Sequence, residues 1–474
     1  MGDLGEGLSH YQRQGFCSFH TPGHKGRQEF FHDLNFCGFD LTELPGLDML
    51  HSPSGIIAQA QKRSAQIFGA NETYFLVNGG TVGNQAMFLA LSGTTKHVVV
   101  ERSSHRSVMS ALVLSGFRPD YLSPVIHPEF NLPLGLDIEE RLSWSEVSAC
   151  HVTYPSYYGA GIDLQRLLAK RADLAPDMPV LVDQAHGSHF LGSLFPASAL
   201  KLGADLVLHS THKTLSALTQ SAMLHVQGSR VSRARLRQSL ELLQSSSPSY
   251  LLLASLERAG EYALEIERWE PLREEVEKLH STVGERFRIL SQKDVGTYGI
   301  HSVDWSKVLI NTLPLGVSAS HCVEFLRKDF GLEPELWDEE NILFLIGIGN
   351  TPEDIRRLTK GLDHLANRTL SSNTKDFKRQ NARRIVTSLP PQILTPREAF
   401  LAKKRQIPLR ESLGYIVGET ISPYPPGIPI VVMGEQMTPE VLETLLMVGK
   451  GHWQGWQGFE TQTIWIIEEE QGMS

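Results

Sequence analysis

What most constrains this chain is a series of short apolar segments between Thr73 and Val226, separated by stretches with helical spacing. Residues 74–77, 97–100, 150–153, 180–182, 206–208 and 223–226 are rich in aliphatic and β-branched side chains and show no polar alternation. A strand that is apolar on both faces must be covered on both faces. The alternation therefore predicts an α/β fold, a mostly parallel sheet between helices. At 474 residues the chain has room for roughly two to four domains. Residues 1–70 are rich in Pro, Gly and His and read as an irregular segment with one helix near 56–68; residues 71–255 hold the sheet. Leu256, Ala259, Ala263 and Ile266 predict a long connecting helix, interrupted or kinked by Pro271. It leads into a smaller α/β unit ending near 370, with strands at 308–310 and 342–346 and a helix at 352–365. Residues 371–474 form a C-terminal unit.

Charge and cysteine usage narrow the partners. Lys plus Arg number 44 and Asp plus Glu 53, a formal net charge of −9, so no global positive field exists to hold nucleic acid or an anionic membrane. A small-molecule partner is expected. Residues 371–410 are locally basic: Lys375, Lys378, Arg379, Arg383, Arg384, Arg397, Lys403, Lys404, Arg405 and Arg410 face only Asp376 and Glu398. Without interleaved aromatic residues they read as a solvated linker and helix rather than an RNA-binding arm. Cys17, Cys37, Cys150 and Cys322 form no CxxC pair, so neither a zinc ribbon nor a disulfide framework is expected, and a reducing cytoplasm fits. The acidic first six residues do not resemble a signal peptide, Glu6 argues against myristoylation, and no apolar stretch approaches the ~20 residues of a spanning helix.

Three strand ends carry chemistry. Asn78-Gly79-Gly80-Thr81 lies between a strand and a helical pattern, where backbone N–H groups can meet a phosphate; a plain tight turn is the alternative. Asp183 ends the run 180–182, the position at which open sheets place ligand contacts; its alternative is to cap the next turn. Lys213 follows the run 206–208 within Ser210-Thr211-His212-Lys213-Thr214 and is a candidate Schiff-base amine. Phosphate cradle, pyridinium partner and aldehyde partner are together what pyridoxal phosphate requires. His105, after a further strand, offers a flat ring to stack on a pyridine, or is structural. The pairs His20/His24 and His186/His189 lack HExxH spacing, and Pro22-Gly23 prevents a helical ligand face, so no metal is expected.

These pieces, with Phe19-His20-Thr21-Pro22-Gly23-His24-Lys25-Gly26, Asp40 to Asp48, Thr153-Tyr154-Pro155-Ser156-Tyr157-Tyr158-Gly159, Asp183-Gln184-Ala185-His186-Gly187 and Gly434-Glu435, resemble the short form of the ornithine/lysine/arginine decarboxylase family of fold type I pyridoxal-phosphate enzymes. The resemblance implies an aspartate-aminotransferase-like major domain that binds the cofactor, an N-terminal segment that contributes to the active site and a C-terminal decarboxylase-type domain. It further implies that Lys213 forms the Schiff base, Asp183 pairs with the pyridine nitrogen, His105 stacks on the ring and His186 lies near its hydroxyl edge. Gly79, Gly80, Thr81, Ser210 and His212 would hold the phosphate, and Glu43 and Asp48 are candidates for the distal end of a basic substrate. The implied reaction is decarboxylation of arginine to agmatine in polyamine biosynthesis, by a homodimer or higher homo-oligomer. Lysine or ornithine decarboxylation, transamination and a catalytically silent regulatory protein are the alternatives. Gln184 replaces the usual Glu of the family, and Gly80 a common Ser.

Overall fold

The six apolar runs, joined by one more strand, form a single sheet in a computed structural model. It describes residues 10–32, 34, 36–93, 97–139, 144, 147–371, 389–424, 428–447 and 452–468. Its strands in chain order are β1 (Glu72–Leu76), β2 (His97–Glu101), β3 (Arg118–Leu122), β4 (Val147–Thr153), β5 (Val180–Asp183), β6 (Leu206–His209) and β7 (Ala222–Val226). Across the sheet they run β1-β7-β6-β5-β4-β2-β3. Every pairing is parallel except those of β7, which is antiparallel to both β1 and β6.

Successive side chains of a strand point to opposite faces, and here both faces are packed. Val99, Val182 and Val207 belong to one apolar cluster, Val98, Val100, Leu181, Leu206 and Leu208 to the other. The helices Gly79–Leu91 and Arg106–Ser115 follow β1 and β2 directly, so the C-terminal strand ends and the helix N-termini share one edge of the sheet. Such an edge is where an open α/β sheet binds ligands.

Beyond the sheet, the expected long helix is two helices: Tyr250–Tyr262 ends first, and Pro271 sits in the first turn of Glu270–Val283. Proline there forfeits an N–H that has no intrahelical partner, so it starts this helix instead of kinking one. The second sheet is antiparallel, ordered Arg288–Ile289, Lys307–Asn311, Asn341–Leu345, Leu336–Trp337. The long helix Pro352–Ser371 packs against Glu270–Val283 and Ala319–Phe330. In the C-terminal unit, Lys404–Pro408 pairs with Thr463–Ile467 around Val417, Ile421, Val431, Val441 and Ile464. Of the basic residues at 371–410, Lys375, Lys378, Arg379, Arg383 and Arg384 lie outside the described residues; Arg397 donates to the carbonyl of Val113, 2.7 Å away.

The N-terminal segment is tied to chain beside both sheets. Cys17–Phe19 runs parallel to Leu332–Pro334, next to the small sheet. Gly23 N–H donates to His212 O (2.7 Å), and Gly349 N–H donates to Gly23 O (3.0 Å). A Cβ on Gly23 would lie 2.5 Å from the Leu215 carbonyl oxygen, so only glycine lets this turn approach the backbone just beyond Lys213.

Candidate active site

The C-terminal ends of β1, β2, β4, β5 and β6 surround a cavity of about 240 Å3. Lys213, Asp183, His105, His186, Gly79, Gly80, Thr81, Ser210 and His212 all line it, so nine of the eleven residues singled out from sequence meet at one place. Glu43 and Asp48 do not line it. The Asp48 carboxylate instead accepts the N–H groups of Met49, Ser54, Gly55, Ile57 and Ala58 at 2.7–3.2 Å, capping the helix Ile56–Phe68, which has no cap of its own. Within this chain Asp48 is a capping residue rather than a cavity contact.

At the cradle, Gly79 has φ +79°, a conformation that favours glycine, and opens the helix Gly79–Leu91. Asn78, at the N-cap, directs its side-chain oxygen to Ser245 N–H, so no side chain caps this helix. Its first N–H groups and the positive end of its dipole face the cavity beside Ser210 and His212. A Cβ on Gly80 would stand 2.5 Å from Ser210 Oγ, which fixes how closely the two walls approach.

Asp183 lies on the cavity floor and is 4% exposed. Its Oδ2 accepts from Asn84 Nδ2 (2.8 Å) and its Oδ1 from Ala185 N–H (3.0 Å). Asn84 also donates to Ser107 Oγ (2.9 Å), and that hydroxyl lies 2.8 Å from His105 Nδ1. One amide thus ties the acid to the flat ring. Burial, reinforced by the nearby Lys213, brings His105 down to about 4, so the ring is neutral at neutral pH.

Lys213 Nζ is 2.8 Å from His186 Nε2. Burial lowers the pKa of Lys213 against the pull of Asp183 and Glu335, favouring the neutral amine that a nucleophile needs. His186 is held far below its ordinary value by burial and by Lys213 and Lys307. Gln184, in place of an acid, is fully engaged: Nε2 donates to Gly187 O (2.7 Å) and lies 3.1 Å from His209 Nε2, and Oε1 accepts Ala199 N–H (2.7 Å).

Sequence reasoning passed over Asn84, Glu101 and Tyr157 on the cavity wall and Lys307 and Glu335 behind it. Lys307 left one usable signal, a lysine at the head of an apolar strand, and the structure buries it. Asn84 left none, being one polar residue inside a helix. Among the described residues, His127, Glu129 and Asp294 could bring ligand atoms together for a metal, but none lines the cavity and Arg288 is paired with both acids.

A sequence profile described as "Orn/Lys/Arg decarboxylase, major domain" matches residues 3–296, and one described as "Orn/Lys/Arg decarboxylase, C-terminal domain" matches residues 379–473. The chain belongs to the Orn/Lys/Arg decarboxylase family. An arginine decarboxylase of Bacillus subtilis (strain 168) is 34% identical over 451 residues, 92% of this chain and 91% of the relative. The solved constitutive lysine decarboxylase of E. coli superposes with a TM-score of 0.74 at 20% identity, over 95% of this chain and 79% of that one. A structure described as "SPT with PLP" superposes with a TM-score of 0.50 at 16% identity, over 66% of this chain and 77% of that one. These neighbours share the fold of fold type I enzymes, with which this chain superposes. As a member of the Orn/Lys/Arg decarboxylase family the chain is an amino-acid decarboxylase, and its cavity joins a lysine, a buried aspartate and an uncapped helix terminus.

Proposed function

We propose that this decarboxylase uses pyridoxal 5'-phosphate to convert arginine to agmatine, in the cytoplasm, as a step of polyamine biosynthesis. The observation that carries the cofactor is the convergence of Lys213 and Asp183, from the ends of neighbouring strands, on a cavity whose third wall is an uncapped helix N-terminus. The residues fit the group: Gly79, Gly80, Thr81, Ser210 and His212 would take the phosphate, Asp183 the ring nitrogen, and His105 the ring face. When bound, the cofactor supplies an aldehyde for the substrate amine and an electron-withdrawing ring to receive the electrons of the broken Cα–carboxylate bond.

The chain's own residues do the rest. Asp183, oriented by Asn84 and by Ala185 N–H, presents its carboxyl group at a buried position. Lys213 would be the amine partner of the cofactor and, within reach of His186, could return a proton to the substrate carbon. Arginine is favoured over lysine and ornithine because the arginine decarboxylase relative aligns with nearly the whole chain at 34% identity. Among the described residues no helix is long and apolar enough to cross a membrane. Phe36, Phe39, Leu41, Leu44 and Met49 are all more than a third exposed along one segment, and covering them in a homodimer would remove that apolar surface from water.

The test is the absorption spectrum of the purified protein with pyridoxal phosphate, beside Lys213→Ala, before and after adding arginine, lysine or ornithine, with released carbon dioxide measured. A near-visible band that needs Lys213, with gas from arginine, is the expected result. Gas from lysine alone would move the substrate, a keto acid without gas would move the reaction to transamination, and a band with no turnover of any basic amino acid would favour a silent binding protein. Light scattering in solution reads the oligomer directly.

A further inference from the structure

His186 stands between two lysines. Its Nε2 lies 2.8 Å from Lys213 Nζ and its Nδ1 lies 3.1 Å from Lys307 Nζ. Lys307 does not line the cavity; it belongs to the small sheet and is buried behind the imidazole. A neutral imidazole has one N–H and one bare nitrogen, whereas an ammonium can only donate. The ring therefore cannot accept from two ammonium groups at once, and only one of the two lysines can meet it as a cation.

We propose that Lys307 is the charged partner, a positioning residue that donates to His186 Nδ1, fixes the Nε2–H tautomer, and so leaves Lys213 as the unprotonated amine that accepts from Nε2–H. This rests on the reading of Lys213 as the Schiff-base amine. The Schiff-base reading needs a neutral Lys213, and since only one of the two lysines can meet the ring as a cation, that leaves Lys307. Burial lowers Lys307 to about 8, helped by Lys213 and opposed by Asp304 and by Glu335, which Lys25 shares, so Lys307 keeps its proton at pH 7. Lys213 faces Asp183, Glu335, His186, and the histidines His105 and His212, both brought to about 4 and so neutral. The Asp183 carboxylate is already engaged by Asn84 and Ala185. A fixed cation one ring away also penalises any proton on Lys213.

The experiment compares full-length wild type, Lys307→Met and Lys307→Arg without added cofactor, reading the pH dependence of Lys213 dinitrophenylation by 1-fluoro-2,4-dinitrobenzene through peptide mass spectrometry. The expected result is a midpoint about one pH unit higher in Lys307→Met, hence labelling that is slower by up to about tenfold at pH values below the wild-type midpoint, with Lys307→Arg restoring most of the shift. An unchanged or lowered midpoint in a folded Lys307→Met overturns the proposal, because a merely structural lysine would not move this titration. Should Lys307→Met fail to fold by circular dichroism, 15N NMR of histidine-labelled wild type decides, with the His186 signal assigned through His186→Gln. A protonated Nε2 upholds the inference and a protonated Nδ1 overturns it. Failure of the cofactor reading is seen separately, as a near-visible band that survives Lys213→Ala.

Discussion

Arg102 and Glu435 form a closed ion pair between the end of β2 and the C-terminal unit, with Nη1 2.8 Å from Oε1 and Nη2 donating to Oε2 at 2.9 Å. The side chains are 4% and 0% exposed, and Oε2 also accepts Val432 N–H. The same unit sends Ile428 to the cavity wall, so this pair helps to hold that wall in place. Taking one partner away leaves a buried charge alone, which costs about 3–5 kcal/mol. Glu435→Ala should lose about that much in urea denaturation, and the double variant Arg102→Met/Glu435→Met should recover much of it. Equal losses in both would show that the pair's charge is not what holds the unit.

Asp48 should matter for stability through its cap. Burial by itself would raise its pKa, but the N–H groups of Ser54, Met49, Gly55 and Ala58 outweigh burial and hold the carboxylate below its ordinary range. Asp48→Ala removes the acceptor for five backbone donors, three of them (Gly55, Ile57 and Ala58) at the start of Ile56–Phe68, and should cost about 1–2 kcal/mol. Thermal melting measures it. A variant with unchanged melting temperature but a raised KM would return Asp48 to the role of substrate contact.

Asn84→Ala tests the amide that joins Asp183 to Ser107. Losing it leaves buried hydrogen-bonding groups unsatisfied, about 1–3 kcal/mol, and frees the Asp183 carboxylate to turn. Cofactor affinity, titrated by absorbance, should fall about 5–150-fold. Affinity within twofold of wild type would mean that Ala185 N–H and the strand alone orient Asp183.

How much of this was legible in the sequence follows from where each signal resides. Strands β4 to β7 are readable because helices cover both their faces, leaving unbroken apolar runs. β3 is not, because it lies at the sheet edge, where Arg118 and Asp120 can face outward and Pro119 is tolerated. Lys213, Asp183 and His105 stand out because chemistry at a strand end contrasts with the apolar run before it. Lys307 and Glu335 come from the small sheet region and reach His186 and Tyr157 only through tertiary packing, at sequence separations of 121 and 178. Spacing along the chain carries no trace of such a meeting. Pro271 was misplaced for a related reason: helical periodicity continues across residues 256–266, but only the backbone shows that one helix ends there and another begins.

The buried histidines predict a pH dependence of stability with a definite sign. Burial is the largest cause in each case: it brings His24, His105 and His212 to about 4 with help from neighbouring lysines, His151 to about 4 against the opposing pull of Asp183, and His225 to about 3. In the unfolded chain each titrates near 6.5, so between pH 6.5 and 4 the unfolded state holds more protons than the folded one. Stability is then full above pH 6.5 and falls as pH drops, each fully excluded histidine adding up to about 1.4 kcal/mol per pH unit. The carboxyls of Glu101, Glu333, Glu419 and Glu435, raised by burial, act in the opposite direction, but they titrate from a lower starting value. Urea midpoints at pH 7.5, 6.5, 5.5 and 5.0 should therefore be flat at first and then decline steeply. Replacing His225, whose Nδ1 lies 2.8 Å from Thr73 Oγ1 and whose Nε2 lies 3.0 Å from His209 Nδ1, by Gln should make the decline shallower while lowering the midpoint at pH 7.5. A midpoint that rises on acidification would mean that these rings take up protons in the folded state, and the neutral state assigned to His105 and His212 beside Lys213 would fall with it.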